Sequence, residues 1–187
     1  MLFQSDALKQ VKEFLEAHQV PYMVIGGIAN AVWGQVRATE DADLKVLVSN
    51  MSISDFRKLA ETKFKPYRRP WLGKAESVLI VSVEVVPGMV TDMLVGVLPY
   101  EEQAVRRARI MELEGLQLPV CTAEDLIVHK AIADREKDWM DINGIVFRQR
   151  GRLEADYVRD WLRQFGEVLE KPYLVRRFDD LYAKHHS

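Results

Sequence analysis

Hydrophobic and polar positions along the chain follow two different periods. Between Ser5 and Gln19, apolar residues recur every three or four positions, which predicts an amphipathic helix. Pro21 ends that helix, because proline has no backbone N–H to donate. The runs "YMVIGG" and "DADLKVLV" predict two strands, and "IANAVWG" between them predicts a short helix closed by Gly34.

The same pattern continues to residue 98. "SISDFRKLAET" predicts another helix, and "RRPWLGKAE" predicts a loop. "SVLIVSVEVV" and "MVTDMLVGV" are rich in β-branched residues and predict two strands, because Pro87-Gly88 between them is a turn signal. The order β-α-β-α-β-β predicts an α/β (α+β) fold, with a mixed sheet and flanking helices.

The chain changes character after Pro99. "PYEEQAVRRARIMELEG" is strongly charged and predicts a helix that runs into an edge strand, and "LQLPV" predicts a short strand. From Thr122 onward the pattern is helical, with Thr122 and Asp125 as a helix cap. We therefore predict two parts: a core over residues 1–98 and a mainly helical part over residues 99–187.

Composition narrows the class of protein without naming a function. The chain has 187 residues, of which 48% are hydrophobic, and a net charge of -2, so nothing drives it as a whole toward nucleic acid or membrane. Cys121 is the single cysteine and cannot form an internal disulfide, which is typical of the cytoplasm. We also expect neither a signal peptide nor a membrane helix, since no apolar run approaches about 20 residues.

Two carboxylates open the second predicted strand. Side chains two positions apart point to the same face of a strand, so Asp41 and Asp43 form a pair of like charges. A divalent cation, Mg²⁺ above all, offsets such repulsion with carboxylate oxygens as its ligands. The alternative is that "EDAD" is only a solvated acidic turn.

Neighbouring residues favour the metal site. Gly26 and Gly27 lie between a strand and a helix, where backbone N–H groups can approach phosphate. Asp92 lies in the middle of an apolar strand, where a lone carboxylate would be costly unless paired or metal-bound. We predict Asp41, Asp43 and Asp92 as catalytic metal ligands, with Glu84 as the rival third carboxylate.

The pattern "GG…RxTxDxD" resembles the signature of the nucleotidyltransferase superfamily related to DNA polymerase β. In this sequence its residues are Gly26, Gly27, Arg37, Thr39, Asp41 and Asp43, and Asp92 matches the third carboxylate. Within the superfamily the chain is most similar to the AbiEii-type toxins. Gly27 stands where many members have serine, so phosphate contact would fall to backbone groups and basic side chains.

The resemblance extends into the helical half. The AbiEii-type motif reads "HKAIADREKDWMDI" here and gives Lys130, Arg135, Asp138 and Asp141. It implies that Lys130 and Asp138 bind nucleotide together with Gly26, Gly27, Arg37 and Thr39. Ordinary ion pairs on a helix surface are the alternative for the helical residues, and a salt bridge to the aspartates is the alternative for Arg37.

The resemblance implies a metal-dependent nucleotidyltransferase with Mg²⁺ or Mn²⁺ as cofactor. It would move a nucleoside monophosphate from an NTP to a hydroxyl of tRNA, protein or a small molecule. A toxin role in a type IV toxin–antitoxin system would add an antitoxin protein as partner. The alternatives are a nucleotide-binding regulatory protein without turnover and an antibiotic nucleotidyltransferase. "YRRPWLGK" could line a nucleotide or acceptor cleft, but we interpret it as a solvated loop.

Overall fold

The computed structural model describes residues 5–36, 41–70, 73 and 76–186. In that part of the chain the helices are α1 (Ser5–Ala17), α2 (Gly26–Trp33), α3 (Ile53–Lys63), α4 (Glu76–Leu79), α5 (Pro99–Arg107), α6 (Ala123–Ala133), α7 (Glu136–Arg148), α8 (Ala155–Val168) and α9 (Tyr173–His186). The strands are β1 (Tyr22–Val24), β2 (Ala42–Val46), β3 (Lys65–Pro66), β4 (Ile80–Val86), β5 (Met89–Val95), β6 (Arg109–Leu113) and β7 (Leu116–Val120).

The described strands form one mixed sheet in the order β3-β4-β5-β2-β1-β7-β6. β2 runs parallel to β5, and β1 runs parallel to β7, while the other neighbouring pairs are antiparallel. Helices flank this sheet, and helices alone follow it from α6 onward. The predicted α/β (α+β) fold is therefore confirmed.

The chain divides into two compact units. The first comprises Met1–Ile28 and Ala38–Cys121 and contains the sheet, and the second comprises Ala29–Arg37 and Thr122–Ser187. We predicted a boundary at 98/99, but β6 and β7 follow that point, and β7 pairs with β1 in the sheet. The two-domain organisation itself stays a prediction.

The first unit is built on an apolar core between α1, α3 and the sheet. The predicted stripe of α1 is buried, and the Phe14 ring lies 5.2 Å from Phe64 and 6.4 Å from Phe56. Such aromatic pairs add packing energy to the area that they bury. Ser52 caps α3, where its Oγ accepts a hydrogen bond from Asp55 N at 3.1 Å.

Two local predictions differ from the structure. The sequence predicts the glycine pair at the end of a strand, but β1 stops at Val24 and both glycines belong to α2. The strand predicted from Ser77 begins only at Ile80, after the short helix α4. Ile80 pairs with Leu94, near the end of β5, and the exposed Val78 and Leu79 lie before that pairing.

The second unit is a cluster of helices. Thr122 caps α6 as predicted, with its Oγ1 accepting from Asp125 N at 3.1 Å. Asp134 ends α6 in the left-handed conformation and accepts hydrogen bonds from Trp139 at the start of α7 and from Tyr173 of α9. These contacts join three helices at one carboxylate. No helix in the described residues is long and apolar enough to span a bilayer.

Candidate active site

Two aspartates meet on neighbouring strands in the centre of the sheet. β2 and β5 run in parallel with Asp43 opposite Asp92, so both carboxylates leave the same face of the sheet. Asp41 directly precedes β2. The parallel pairing thus brings Asp43 and Asp92 together, although they are 49 positions apart along the chain.

Gly26 forms the floor under the Asp43 carboxylate. Its φ of +63° is in the left-handed region, where side chains are strained. A Cβ at this position would lie 2.0 Å from Asp43 Oδ2, which is far inside van der Waals contact. Glycine is therefore required here for two separate reasons, and it allows the carboxylate to approach the first turn of α2.

Arg69 links Asp41 and Asp92. Its Nη2 lies 2.9 Å from Asp41 Oδ2 and 2.9 Å from Asp92 Oδ2, and its Nε donates to both Asp92 oxygens at 3.1 and 3.2 Å. The arginine side chain is only 10% exposed. Burial works against its charge, but the hydrogen bonds and charges of Asp92 and Asp41 raise the pKa of Arg69.

The carboxylates fit a divalent cation by their chemistry. Three carboxylate groups with oxygen ligands are the donor set that Mg²⁺ and Mn²⁺ prefer. Arg69 supplies the positive charge between two of them, and its guanidinium is a stand-in for a cation at this point. In this arrangement no group of three or more acidic, histidine or cysteine side chains in the described residues is set to hold a metal ion. The guanidinium must move for a cation to bind.

Glu84, the rival third carboxylate, is engaged elsewhere. It lies on β4 opposite Val90, two residues along from the Asp92 level. Lys65 Nζ lies 2.5 Å from its Oε2, and Gly88 N donates to its Oε1 at 3.0 Å. The Gly88 hydrogen bond and the lysine lower the pKa of Glu84. These contacts hold the carboxylate at the β4–β5 turn.

The remaining predicted residues of the first motif are described only in part. Arg37 and Thr39 lie outside the described residues. Gly27 is the second residue of α2, at the end of the helix where backbone N–H groups lack intrahelical partners. A contact between Gly27 and phosphate stays a prediction.

Lys130 belongs to a buried polar network in the second unit. Its Nζ lies 2.6 Å from Asp141 Oδ2 and 3.7 Å from Asp138 Oδ1. Asp138 is also bound by Arg135, with 2.6 Å between Nε and Oδ2, and Asn30 Nδ2 donates to Asp141 Oδ1 at 3.2 Å. A role of Lys130 and Asp138 in nucleotide binding stays a prediction, because both are ion-paired here.

Sequence reasoning missed Arg69 and Asn30. The stretch "YRRPWLGK" was interpreted as a solvated loop, and this is wrong for Arg69, whose side chain is buried against two aspartates. Arg69 lies two residues after an aromatic residue in a predicted loop, and nothing in that sequence distinguishes it from an exposed loop arginine. Asn30 occupies an apolar stretch of α2 and is completely buried, so a lone polar residue on an apolar helix was the available sign.

Comparison with known proteins defines the class. The site combines a glycine turn at the start of a helix with adjacent aspartates on parallel strands. The chain that carries it matches a nucleotidyl transferase family model. The match covers residues 4–179, and the chain belongs to this family, described as "Nucleotidyl transferase of unknown function (DUF2204)". The protein is therefore a transferase of the EC 2.7.7 type. No curated protein sequence matches it.

Solved structures share the fold at low sequence identity. The antibiotic-resistance factor ANT(2″)-Ia has a TM-score of 0.58 at 13% identity, with 89% of this chain and 93% of that chain covered. An antigenic nucleotidyltransferase-like protein from Paracoccidioides brasiliensis has a TM-score of 0.52 at 16% identity, with 92% and 89% covered. Likeness at this level shows that the fold is shared, and the match to the nucleotidyl transferase family is what supports the superfamily that the sequence motif predicted. The closer likeness to AbiEii-type toxins stays a prediction.

Proposed function

We propose that this chain transfers a nucleoside monophosphate from an NTP to an acceptor hydroxyl in a metal-dependent reaction. The observation that carries the proposal is the Asp43–Asp92 pair on adjacent parallel strands, with Gly26 under the Asp43 carboxylate. Backbone N–H groups at the start of α2 provide a place for the phosphates beside Gly26. Mg²⁺ or Mn²⁺, when bound, would polarise the α-phosphate and the leaving pyrophosphate.

The chain's own residues have separate tasks in this scheme. Asp41 and Asp43 would hold the cation and, through it, the triphosphate. Asp92 would hold the cation and accept the proton of the acceptor hydroxyl, since it is the carboxylate on the far side of Asp43 from Gly26. The hydroxyl oxygen would form a bond to the α-phosphorus while the bond to pyrophosphate breaks. Arg69, which is bound to Asp92 in this structure, would first have to release that carboxylate.

Small-molecule acceptors are supported by one structural neighbour. ANT(2″)-Ia in complex with adenylyl-2″-tobramycin has a TM-score of 0.50 at 12% identity, covering 96% of this chain and 98% of that chain. That protein holds a nucleotidylated hydroxyl compound, so a hydroxyl acceptor fits the shared fold. A toxin role, an antitoxin partner and a tRNA acceptor have no support beyond the sequence resemblance.

The test is nucleotide binding followed by transfer. We expect Mg²⁺ with an NTP to raise the Tm of the wild-type protein, and Asp41→Ala with Asp43→Ala to abolish that rise because the cation loses two ligands. Labelled NTPs with sets of hydroxyl acceptors then report transfer. As a control, Asp55→Ala removes a carboxylate from the exposed first turn of α3. Transfer by the double variant would overturn the proposal, and NTP binding with no transfer to any acceptor would favour the regulatory alternative.

A further inference from the structure

A cleft of about 850 Å³ opens in the first unit beside the carboxylates. Its walls come from α3, from Val78 of α4, from β4 and from residues 66–70, which begin at the end of β3. A volume of this size lies in the usual range of small-molecule binding pockets. The described lining residues all lie within the first unit, so the cleft is a feature of the sheet and its flanking helices.

The position of the cleft follows from one row of residues across the sheet. Ile25 N donates to Asp43 O at 2.9 Å, Asp43 stands opposite Asp92, and Asp92 stands opposite Ser82. The row ends where Tyr67 N donates to Ser82 O at 3.0 Å. Ser82 and Tyr67 line the cleft, so the cleft lies on the Asp92 side of the carboxylates and Gly26 on the other.

This order assigns the two substrates to opposite sides. The phosphate-binding helix start at Gly26 is the donor side, since the triphosphate must reach the backbone N–H groups there. The acceptor hydroxyl must reach Asp92 from the other direction, because an in-line displacement places the attacking and leaving oxygens on opposite sides of the phosphorus. Arg69 lines the cleft and contacts Asp92, which makes the cleft continuous with that carboxylate.

Apart from Arg69, the described lining of the cleft carries a small excess of positive charge. It includes Arg57 and Arg68 against one carboxylate, Glu61, whereas the charge of Arg69 is offset by Asp41 and Asp92. Arg57 Nη2 donates to Ile80 O at 3.0 Å, which fixes the guanidinium in the cleft wall. Arg68 is exposed and has no hydrogen-bond or ion-pair partner among the described residues. Such a surface attracts anions and repels polycations.

An aromatic side chain completes the lining. Tyr67 is 39% exposed, and the Arg69 guanidinium lies 5.3 Å from the centre of its ring. Exposed aromatic rings beside arginines are the combination that binds nucleotides, because bases stack on the ring while the cations hold phosphate.

We propose that this cleft is the acceptor site and takes a hydroxyl compound that carries a phosphate next to its reactive hydroxyl. The terminal nucleotide of an RNA and a phosphorylated sugar share that chemistry, whereas a polycationic antibiotic does not. The inference rests on the proposed function, because it assigns the acceptor of that reaction. In the reaction the acceptor oxygen bonds to the α-phosphorus, pyrophosphate leaves, and Asp92 receives the proton.

The test is binding of three probes to the full chain without NTP. Isothermal titration measures the dinucleotide cytidylyl-3′,5′-cytidine, glucose 6-phosphate and tobramycin on the wild type, on Arg68→Glu and on Arg109→Glu. Arg109 is the matched control, because it is an exposed arginine on β6, at the opposite edge of the same sheet. We expect Arg68→Glu to weaken the phosphate probes about tenfold and Arg109→Glu to leave them unchanged.

Each outcome decides the inference. Tighter binding of the dinucleotide supports a nucleic-acid end as acceptor, and equal or tighter binding of the sugar phosphate supports a small phosphorylated acceptor. Preferred binding of tobramycin, or equal losses in the Arg68→Glu and Arg109→Glu variants, would overturn the proposal. The Tm rise of the wild type with Mg²⁺ and an NTP is measured in parallel. Its absence would count against the proposed function, whereas its presence with no binding of phosphate probes would count against the cleft alone.

Discussion

Single residues show most directly why this site has the shape it has. Gly26 tolerates a left-handed backbone and leaves room for a carboxylate, and no other residue does both. Gly88 has a similar φ of +80°, but a Cβ there would meet nothing within 4 Å. Comparing substitutions at the two glycines therefore separates the cost of backbone strain from the cost of the contact with Asp43.

We expect Gly26→Ala to lower the free energy of unfolding by about 3 kcal/mol and Gly88→Ala by about 1 kcal/mol. Both variants have the backbone strain, but only the first forces Asp43 away from the start of α2. Urea unfolding of the two variants gives the difference. Equal losses in the free energy of unfolding would show that Asp43 can move away at no energetic cost. The close approach of Asp43 to Gly26 would then not affect stability.

The sequence allowed part of the site to be predicted at this scale. Asp41 and Asp43 follow from their spacing on a strand, and Asp92 from its place in an apolar run. Arg69 could not be found in this way, because its role depends on which strands become neighbours. A loop arginine becomes a partner of two aspartates only when the residues after β3 come to lie beside β5 and β2.

At the scale of elements, α6 and α7 are joined by a buried charge pair. Lys130 of α6 and Asp141 of α7 have side chains that are 7% and 10% exposed. Removing one partner of such a pair leaves a buried charge without compensation, whereas removing both charges is far less harmful. The pair therefore offers a way to separate a structural role from a role in nucleotide binding.

We expect Lys130→Gln to lower the free energy of unfolding by about 3 to 5 kcal/mol. Lys130→Met with Asp141→Asn should regain most of this loss, because neither charge of the pair is left buried alone, Asp138 keeps its ion pair with Arg135, and Asn30 keeps a hydrogen-bond partner. If Lys130 neutralises phosphate, this stable double variant binds Mg²⁺–NTP about tenfold more weakly than the wild type. Unchanged NTP affinity in a titration of the double variant would assign Lys130 to structure alone.

The elements differ in how well the sequence predicted them. The long periodic segment α1 and the capped start of α6 were predicted almost to the residue, because amphipathic stripes and caps are local signals. The two-residue strand β3 and the four-residue helix α4 were not predicted. β3 exists because β4 offers it hydrogen-bond partners, and that information is not in the local pattern.

At the scale of the whole molecule, acid stability depends on carboxylates in both units. Burial of Glu101 works against its ionisation, but Lys45 and the backbone N–H groups of Leu98 and Val97 outweigh it and hold the pKa of Glu101 below its usual value. Burial of Asp134 is likewise outweighed by hydrogen bonds from Tyr173 and other donors, which lower its pKa. Both groups bind protons more weakly in the folded than in the unfolded state.

We expect the free energy of unfolding to be steady at neutral pH and to fall as the pH drops below about 4.5, where the unfolded carboxylates begin to take up protons. A lowered folded pKa contributes stability above the unfolded pKa, and this is lost as the pH passes down through the folded value. Glu101→Gln should cost about 3 kcal/mol at pH 7 and flatten this decline. Urea unfolding from pH 7 to pH 3 tests it, with exposed Glu102→Gln as control. If the free energy of unfolding of Glu101→Gln fell with pH as steeply as that of the wild type, Glu101 would not be a source of the acid sensitivity.

The division of the molecule was harder to predict than its elements. The change in composition after Pro99 suggested a boundary there, yet β7 returns to pair with β1 and keeps residues up to Cys121 with the sheet. A charged stretch of sequence indicates that the stretch is exposed to solvent. Which unit a stretch belongs to depends instead on pairing between strands that are far apart in the sequence. The sequence therefore showed where the surface changes and not where the sheet ends.

The row from Ile25 to Tyr67 also bears on how this protein can diversify. The residues of the donor side come before residue 44 in the sequence, and those of the cleft come mostly after residue 52. In the sheet, the carboxylates on β2 and β5 lie between the donor side and the cleft. Mutations in the segment after β3 and on α3 can thus exchange one acceptor for another while the donor half keeps its sequence. Relatives with the same glycine and aspartates can then act on unrelated acceptors, and grafting the cleft segment of one onto another is a direct route to new specificity.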